Sequence, residues 1–216
     1  MYKVLLFDLD GTLTDPVIGI TTSVQYALRK MGIEEPSLEK LTPFIGPPLV
    51  QSFKEFYHLS EEEAQQALRY YRERFSTVGL YENKVYPGMK ELLQTLVEQG
   101  KRLYVATSKP TVFSTKILEH FELAKYFTAV IGSELDGTRA EKDEVIAFVL
   151  AQLGEYKKEE ILMVGDRKYD ILGARKNGIA VAAVGYGYGS PEEFEAAGPT
   201  YTVQTVEELS VLLTSF

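Results

Sequence analysis

Two kinds of hydrophobic pattern alternate along this chain. Short apolar runs stand at Val4–Phe7, Leu103–Ala106, Phe127–Ile131, Ile161–Val164 and Ala180–Val184. Runs of this length without polar alternation suit strands buried on both faces of a parallel sheet. Val203 and its neighbours offer an edge strand. Between the runs, Thr111–Leu123, Lys142–Leu153 and Asp170–Lys176 read as helices. Pro87-Gly88 opens another, which ends at Gly100. Strands alternating with helices predict an α/β fold with a doubly wound parallel sheet, a Rossmann-like core.

One long segment departs from this alternation. Val17, Ile20, Val24, Ala27, Leu28 and Met31 recur at helical spacing, and so do Ala64, Ala67, Leu68, Tyr71, Phe75 and Val78. Between them, Thr42–Pro48 reads as a loop by its Pro and Gly content. The pattern predicts an α-helical subdomain over residues 16–80, inserted after the first strand. The core is then residues 1–15 and 81–216, with Tyr81–Gly88 as the return linker.

Composition narrows the possible roles. Hydrophobic residues make up 45% of the chain, enough for a packed core. The net charge of −8 leaves no basic stripe for a nucleic-acid polymer. Without cysteine there is no disulfide, thiolate metal site or thiol nucleophile. Asp8 interrupts the first apolar run too early for a signal peptide, and no stretch approaches the roughly 18 apolar residues of a membrane span. The expectation is a cytoplasmic protein with no membrane partner, either a monomer or a homodimer.

Candidate chemistry lies just past the strands. The first run leads into Asp8-Leu9-Asp10-Gly11-Thr12, the second into Thr107-Ser108-Lys109-Pro110, and the fourth into Gly165-Asp166-Arg167-Lys168-Tyr169-Asp170. Lys142 opens the helix that precedes the fourth strand. Each has an ordinary alternative. Asp-Gly is a common turn, Asp and Thr are common helix caps, and Lys142 lies between Glu141 and Asp143 in a charged stretch. Parallel strands share one carboxyl edge, however, and ligands bind there. Carboxylates, a hydroxyl and a lysine converging at that edge suit a divalent cation with a phosphoryl group.

Taken together, DLDGT from Asp8, VATS ending at Ser108, Lys142 in EKDEV and GDRKYD from Gly165 resemble the haloacid dehalogenase superfamily of phosphatases, in that superfamily's order. The resemblance implies a Mg²⁺-dependent phosphomonoester hydrolase acting on a small phosphorylated metabolite. Asp8 is then the nucleophile, forming an aspartyl-phosphate, and Asp10 the general acid and base. Thr107, Ser108 and Lys142 hold the phosphoryl group. Asp8, Asp166 and the backbone carbonyl of Asp10 bind Mg²⁺, and Asp170 orients a metal water or Lys142. Asp10 argues for phosphoryl transfer over dehalogenation.

By the same resemblance, the helical insert is a cap that closes over small substrates. Its Phe44-Ile45-Gly46-Pro47-Pro48 resembles the cap loop of phosphoglycolate phosphatase-like enzymes, which makes Phe44, Gly46 and Pro47 candidates for substrate selection. The branch is often labelled 5′-nucleotidase. A phosphosugar mutase on the same core is an alternative, and a non-enzymatic phosphate-sensing module is another. Gly185-Tyr186-Gly187-Tyr188-Gly189 follows the fifth strand, and Ser190 stands where a dinucleotide fingerprint needs glycine. It reads as a flexible loop beside the site.

Overall fold

Val4–Phe7 forms β1, and all four of its side chains are buried, as its unbroken apolar run requires. In the computed structural model, which describes residues Met1–Phe216, five further strands join it. These are β2 (Arg102–Pro110), β3 (Ala129–Ser133), β4 (Ile161–Gly165), β5 (Ala180–Val184) and β6 (Tyr201–Val203). They pair in parallel in the order β3-β2-β1-β4-β5-β6. The chain winds outward from β1 in both directions. A crevice opens at such a reversal, at the carboxyl ends of the central strands.

By its contacts the chain divides into two units, Met1–Asp15 with Val85–Phe216, and Pro16–Lys84. Helices of the first unit cover the sheet. Val145, Ile146 and Val149 of helix Lys142–Leu150, with Ile171 and Ala174 of helix Lys168–Asn177, pack on Val4, Leu6, Tyr104 and Met163. Several expected boundaries move, among them the ends of two helices, which stop at His120 and Leu150 rather than at Leu123 and Leu153. β2 runs on to Pro110, with a register irregularity between Ala106 and Pro110. The ladder of β3 begins at Ala129, opposite Tyr104, because Ala124–Tyr126 form a 3₁₀ turn just ahead of it. The helix expected at Asp170 begins at Lys168, where the Asp170 carboxylate accepts the Arg167 N–H.

The second unit is helical: Val17–Lys30, Leu49–Tyr57 and Glu61–Arg74, the last ending in a π turn over Phe75–Gly79. Ser60 and Glu63 form a reciprocal capping box at the start of Glu61–Arg74. A 3₁₀ helix, Glu39–Phe44, with Pro43 inside it, runs into the start of the stretch read as a loop. Tight i→i+3 bonds accommodate the proline there, since such a short helix asks for few backbone donors. The chain leaves this unit after Lys84 rather than at residue 80. Glu82 holds it there, accepting the Gly19 N–H at 3.0 Å and pairing with Arg74 at 2.7 Å.

Candidate active site

Register brings the candidate residues to one edge. Phe7 of β1 is level with Val105 of β2 and Val164 of β4. One residue further on, Asp8, Ala106 and Gly165 therefore share a row, and Thr107 and Asp166 follow. The Asp8 N–H still bonds the Val164 carbonyl at 2.9 Å, so its side chain leaves a backbone held by the sheet. Its Oδ1 accepts the Leu9 N–H at 2.8 Å.

Lys142 organises the centre. Its buried ammonium lies 2.8 Å from Asp8 Oδ1 and 2.8 Å from Asp170 Oδ1, and donates to the Ala106 carbonyl at 3.0 Å. A lysine offers three donors, and two carboxylate oxygens and one carbonyl lie within 3.0 Å of this one. Burial works against its charge, yet Asp170 and Asp8 together raise its pKa. The surface-charge reading of Lys142 gives way to a buried ion triad.

Asp166 is fully buried, accepting Thr12 Oγ1 at 3.2 Å and the Tyr188 N–H at 2.8 Å. Burial, then the charges of Asp170 and Asp8, push its pKa well above the usual carboxylate range. Burial lifts Asp170 to about 6; the Lys142 ammonium opposes that shift and Asp8 reinforces it. One carboxylate oxygen from each of Asp8, Asp166 and Asp170 lies within 4.8 Å of the others. Lys142 pairs with only two of these three buried carboxylates, which leaves the cluster short of positive charge. A hard divalent cation such as Mg²⁺ fits that donor set. Asp170 thus stands inside the carboxylate cluster, while the Asp10 carboxylate stands outside it.

Asp10 faces a different cation. Its Oδ2 lies 2.6 Å from Lys109 Nζ, and both side chains are buried. Its Oδ1 is buried without a hydrogen-bond partner. Burial raises the Asp10 pKa, and Lys109 offsets part of the rise. Sequence reasoning passed over Lys109. The available signal was a cation two residues past Thr107, where β2 was expected to have already ended. Thr107 is buried, and its Oγ1 accepts the Lys109 N–H at 3.3 Å. The Ser108 carbonyl accepts Ser133 Oγ at 2.8 Å.

The glycine-tyrosine loop is packed down rather than loose. Tyr186 donates to the Thr12 carbonyl at 3.0 Å and meets Tyr86 edge-on at 4.8 Å between ring centres. The Tyr188 hydroxyl donates to Asp15. Gly187 and Gly189 each sit where a Cβ would collide with Asp166. These glycines allow close approach of backbone to a site residue.

Of the residues proposed for substrate selection, Phe44 is buried within the helical unit, ringed by Phe53, Phe56 and Tyr57 at 5.0, 5.3 and 6.1 Å. It serves that unit's own core. Gly46, at φ 110°, and Pro47 remain partly exposed. Arg139 pairs with Glu134 and stacks on Phe148.

Residues 5–184 match the family model described as haloacid dehalogenase-like hydrolase. A 5′-nucleotidase of Pseudomonas aeruginosa is 51% identical, covering 99% of this chain and 96% of its own. The tyrosine-protein kinase PtkA of Mycobacterium tuberculosis is 36% identical, over 96% of this chain and 71% of its own. A phosphoglycolate phosphatase of Vibrio parahaemolyticus is 32% identical, over 96% and 94%. The crystal structure of a predicted phosphatase from Clostridium acetobutylicum superposes with a TM-score of 0.97 at 49% identity, over the whole of both chains.

Proposed function

We propose, from the premise that this chain belongs to the haloacid dehalogenase-like hydrolase family and is a phosphatase, that it hydrolyses small phosphate monoesters through a phosphorylated Asp8. The observation that carries this reading is the Lys142 ammonium, 2.8 Å from both Asp8 and Asp170 beside the buried Asp166. A carboxylate beside a fixed cation can meet an anionic phosphoryl group without prohibitive repulsion. Family membership sets aside the non-enzymatic phosphate-sensing module.

In the first step a lone pair of an Asp8 oxygen attacks phosphorus. The bond from phosphorus to the ester oxygen breaks, and that oxygen takes a proton from Asp10. The alcohol leaves, with aspartyl-phosphate on Asp8 and a carboxylate on Asp10. In the second step Asp10 takes a proton from water, whose oxygen attacks phosphorus. The bond to Asp8 breaks, returning the carboxylate and releasing phosphate. Thr107 and the nearby amides at the start of helix Thr111–His120 hold phosphoryl oxygens, and Lys142 balances their charge. Asp8, Asp166 and the Asp10 carbonyl would hold Mg²⁺, which supplies further neutralisation of the phosphoryl oxygens when bound. Asp170 sets the position of Lys142.

Nucleoside 5′-monophosphates are the first substrate class, by likeness to the Pseudomonas aeruginosa 5′-nucleotidase, and phosphoglycolate is the second. Gly46 and Pro47 carry what remains of the loop-based selection. No helix is long and apolar enough to cross a membrane.

Phosphate release from a panel of nucleotides, phosphoglycolate and sugar phosphates, with Mg²⁺ and with EDTA, tests the reading. Steady Mg²⁺-stimulated release is expected. Asp8→Asn should lose on the order of 10⁴-fold or more while keeping its circular dichroism spectrum. Mass spectrometry after rapid quench should find phosphate on the Asp8 peptide. Phosphoryl transfer to a sugar or a tyrosine in place of water would favour a mutase, or a role like that named for PtkA. Near-normal turnover in Asp8→Asn would sink the covalent route.

A further inference from the structure

We propose that Lys109 is the positioning residue for proton transfer, clamping Asp10 so that one chosen oxygen faces the leaving group. The inference rests on Asp10 being the general acid, and adds a residue that lies outside the four matching segments. Lys109 Nζ lies 2.6 Å from Asp10 Oδ2, both side chains are buried, and the other oxygen, Oδ1, is buried with no hydrogen-bond partner. A carboxyl group can carry its proton on either oxygen and can rotate about its Cβ–Cγ bond. An ammonium fixed on Oδ2 removes that freedom. Oδ2 becomes the acceptor of the clamp, and Oδ1 is left as the oxygen that gives and takes the proton. An orphaned buried acceptor is costly unless it is used, and this one belongs to the residue with a proton to move.

The backbone under Lys109 is built for the purpose. It lies in the part of β2 where the register shifts between Ala106 and Pro110. Such irregularities re-aim side chains next to active sites. The Lys109 N–H bonds Thr107 Oγ1 at 3.3 Å, and its carbonyl accepts Ser114 Oγ at 3.5 Å. Gly132 presses on the same carbonyl so closely that a Cβ there would stand 2.1 Å from it. The lysine therefore reaches Asp10 from a base tied to β3 and to helix Thr111–His120. The same Thr107 hydroxyl that is expected to hold the phosphoryl group sets the Lys109 amide, so phosphoryl and proton donor share one support.

A clamp and a plain counter-charge differ in what they do to leaving groups of different acidity. When the ester bond breaks, its electron pair stays on the leaving oxygen. A dinitrophenolate is stable without a proton, whereas phenolate needs Asp10 to supply one. The value of kcat/KM reports only steps up to loss of the alcohol, so dephosphorylation of Asp8, shared by all substrates, drops out.

The experiment compares 2,4-dinitrophenyl phosphate with phenyl phosphate, with Mg²⁺, in wild type, Lys109→Met, Lys109→Arg and Asp10→Asn. The ratio of the two kcat/KM values within one preparation is independent of the fraction folded. In Lys109→Met the phenyl ester should lose about 10²-fold and the dinitrophenyl ester only a few-fold, since misoriented proton transfer costs about that much. The kcat of Lys109→Met should fall for both, because Asp10 is also the base for water. Lys109→Arg should restore the wild-type ratio. An unchanged ratio in Lys109→Met, with a changed one in Asp10→Asn, would overturn the clamp and leave the general acid standing. An unchanged ratio in Asp10→Asn would remove the general acid and the clamp with it.

Discussion

Gly187 lies directly against Asp166: a Cβ built on the glycine would stand 2.4 Å from the Asp166 Cβ and 2.4 Å from the Gly11 carbonyl. The next residue, Tyr188, donates its N–H to Asp166 Oδ2 at 2.8 Å. The loop after β5 is thus the wall against which a buried carboxylate is set. Gly187→Ala must push wall and carboxylate apart by about an ångström, and such a misplacement costs about 10²-fold in rate. Overpacking of this kind destabilises by about 1–3 kcal/mol. The check is kcat/KM and the Mg²⁺ half-saturation of the variant beside its denaturant midpoint. Wild-type values for the first two would show that the loop yields.

Asp170 gives the metal-free protein a pH dependence opposite in sign to ordinary acid denaturation. Its carboxyl rises from 3.8 to about 6 because it is buried, against the pull of Lys142. Between those values the folded protein keeps a proton that the unfolded chain has released. Stability from this group therefore falls as pH rises through that window, by up to about 3 kcal/mol. In EDTA, wild type should lose that amount relative to Asp170→Asn between pH 4 and 7. The difference cancels the slope from exposed, paired carboxylates such as Glu61 and Glu160, which both proteins share. Mg²⁺ at pH 7 should restore the wild type. Parallel pH curves for the two proteins would contradict the shift.

Lys142→Met leaves Asp8 and Asp170 buried without their cation. Removing one partner of a buried ion pair costs about 3–5 kcal/mol. Urea unfolding in EDTA at pH 7 should show that loss, and product phosphate should bind more weakly. Undiminished stability would mean that the triad compensates less charge than its geometry indicates.

Phe44→Ala tests whether this residue packs or selects. A phenylalanine buried among three aromatic rings should cost about 3–5 kcal/mol on truncation. The ranking of phosphate esters by kcat/KM should stay the same in the variant. A reordered ranking with little loss of stability would return Phe44 to the substrate-selecting role first given to it.

The limits of sequence reading show in particular residues. Asp8, Asp10 and Asp166 were legible because each follows an apolar run by one or a few residues, and strand ends are where parallel sheets do chemistry. The helical insert was legible because its 3.6-residue period interrupts the strand pattern. Glu82 was not: its hold on Gly19 and Arg74, which moves the unit boundary to Lys84, joins residues far apart in sequence. Phe44 was a candidate for substrate selection in a Pro-Gly loop, and only its neighbours from helix Leu49–Tyr57 make it core.

The sequence by itself determined which residue types could meet at one sheet edge and in what order, because periodicity and strand-end position are properties of a single chain segment. Tertiary structure decided which charges pair. Asp10 took Lys109, and Asp8 and Asp170 took Lys142, because Coulomb energy in a buried site depends on distances that no spacing along the chain encodes. It also decided that the glycines after β5 are there for contact with Asp166, since closeness between backbone segments exists only once the sheet has formed.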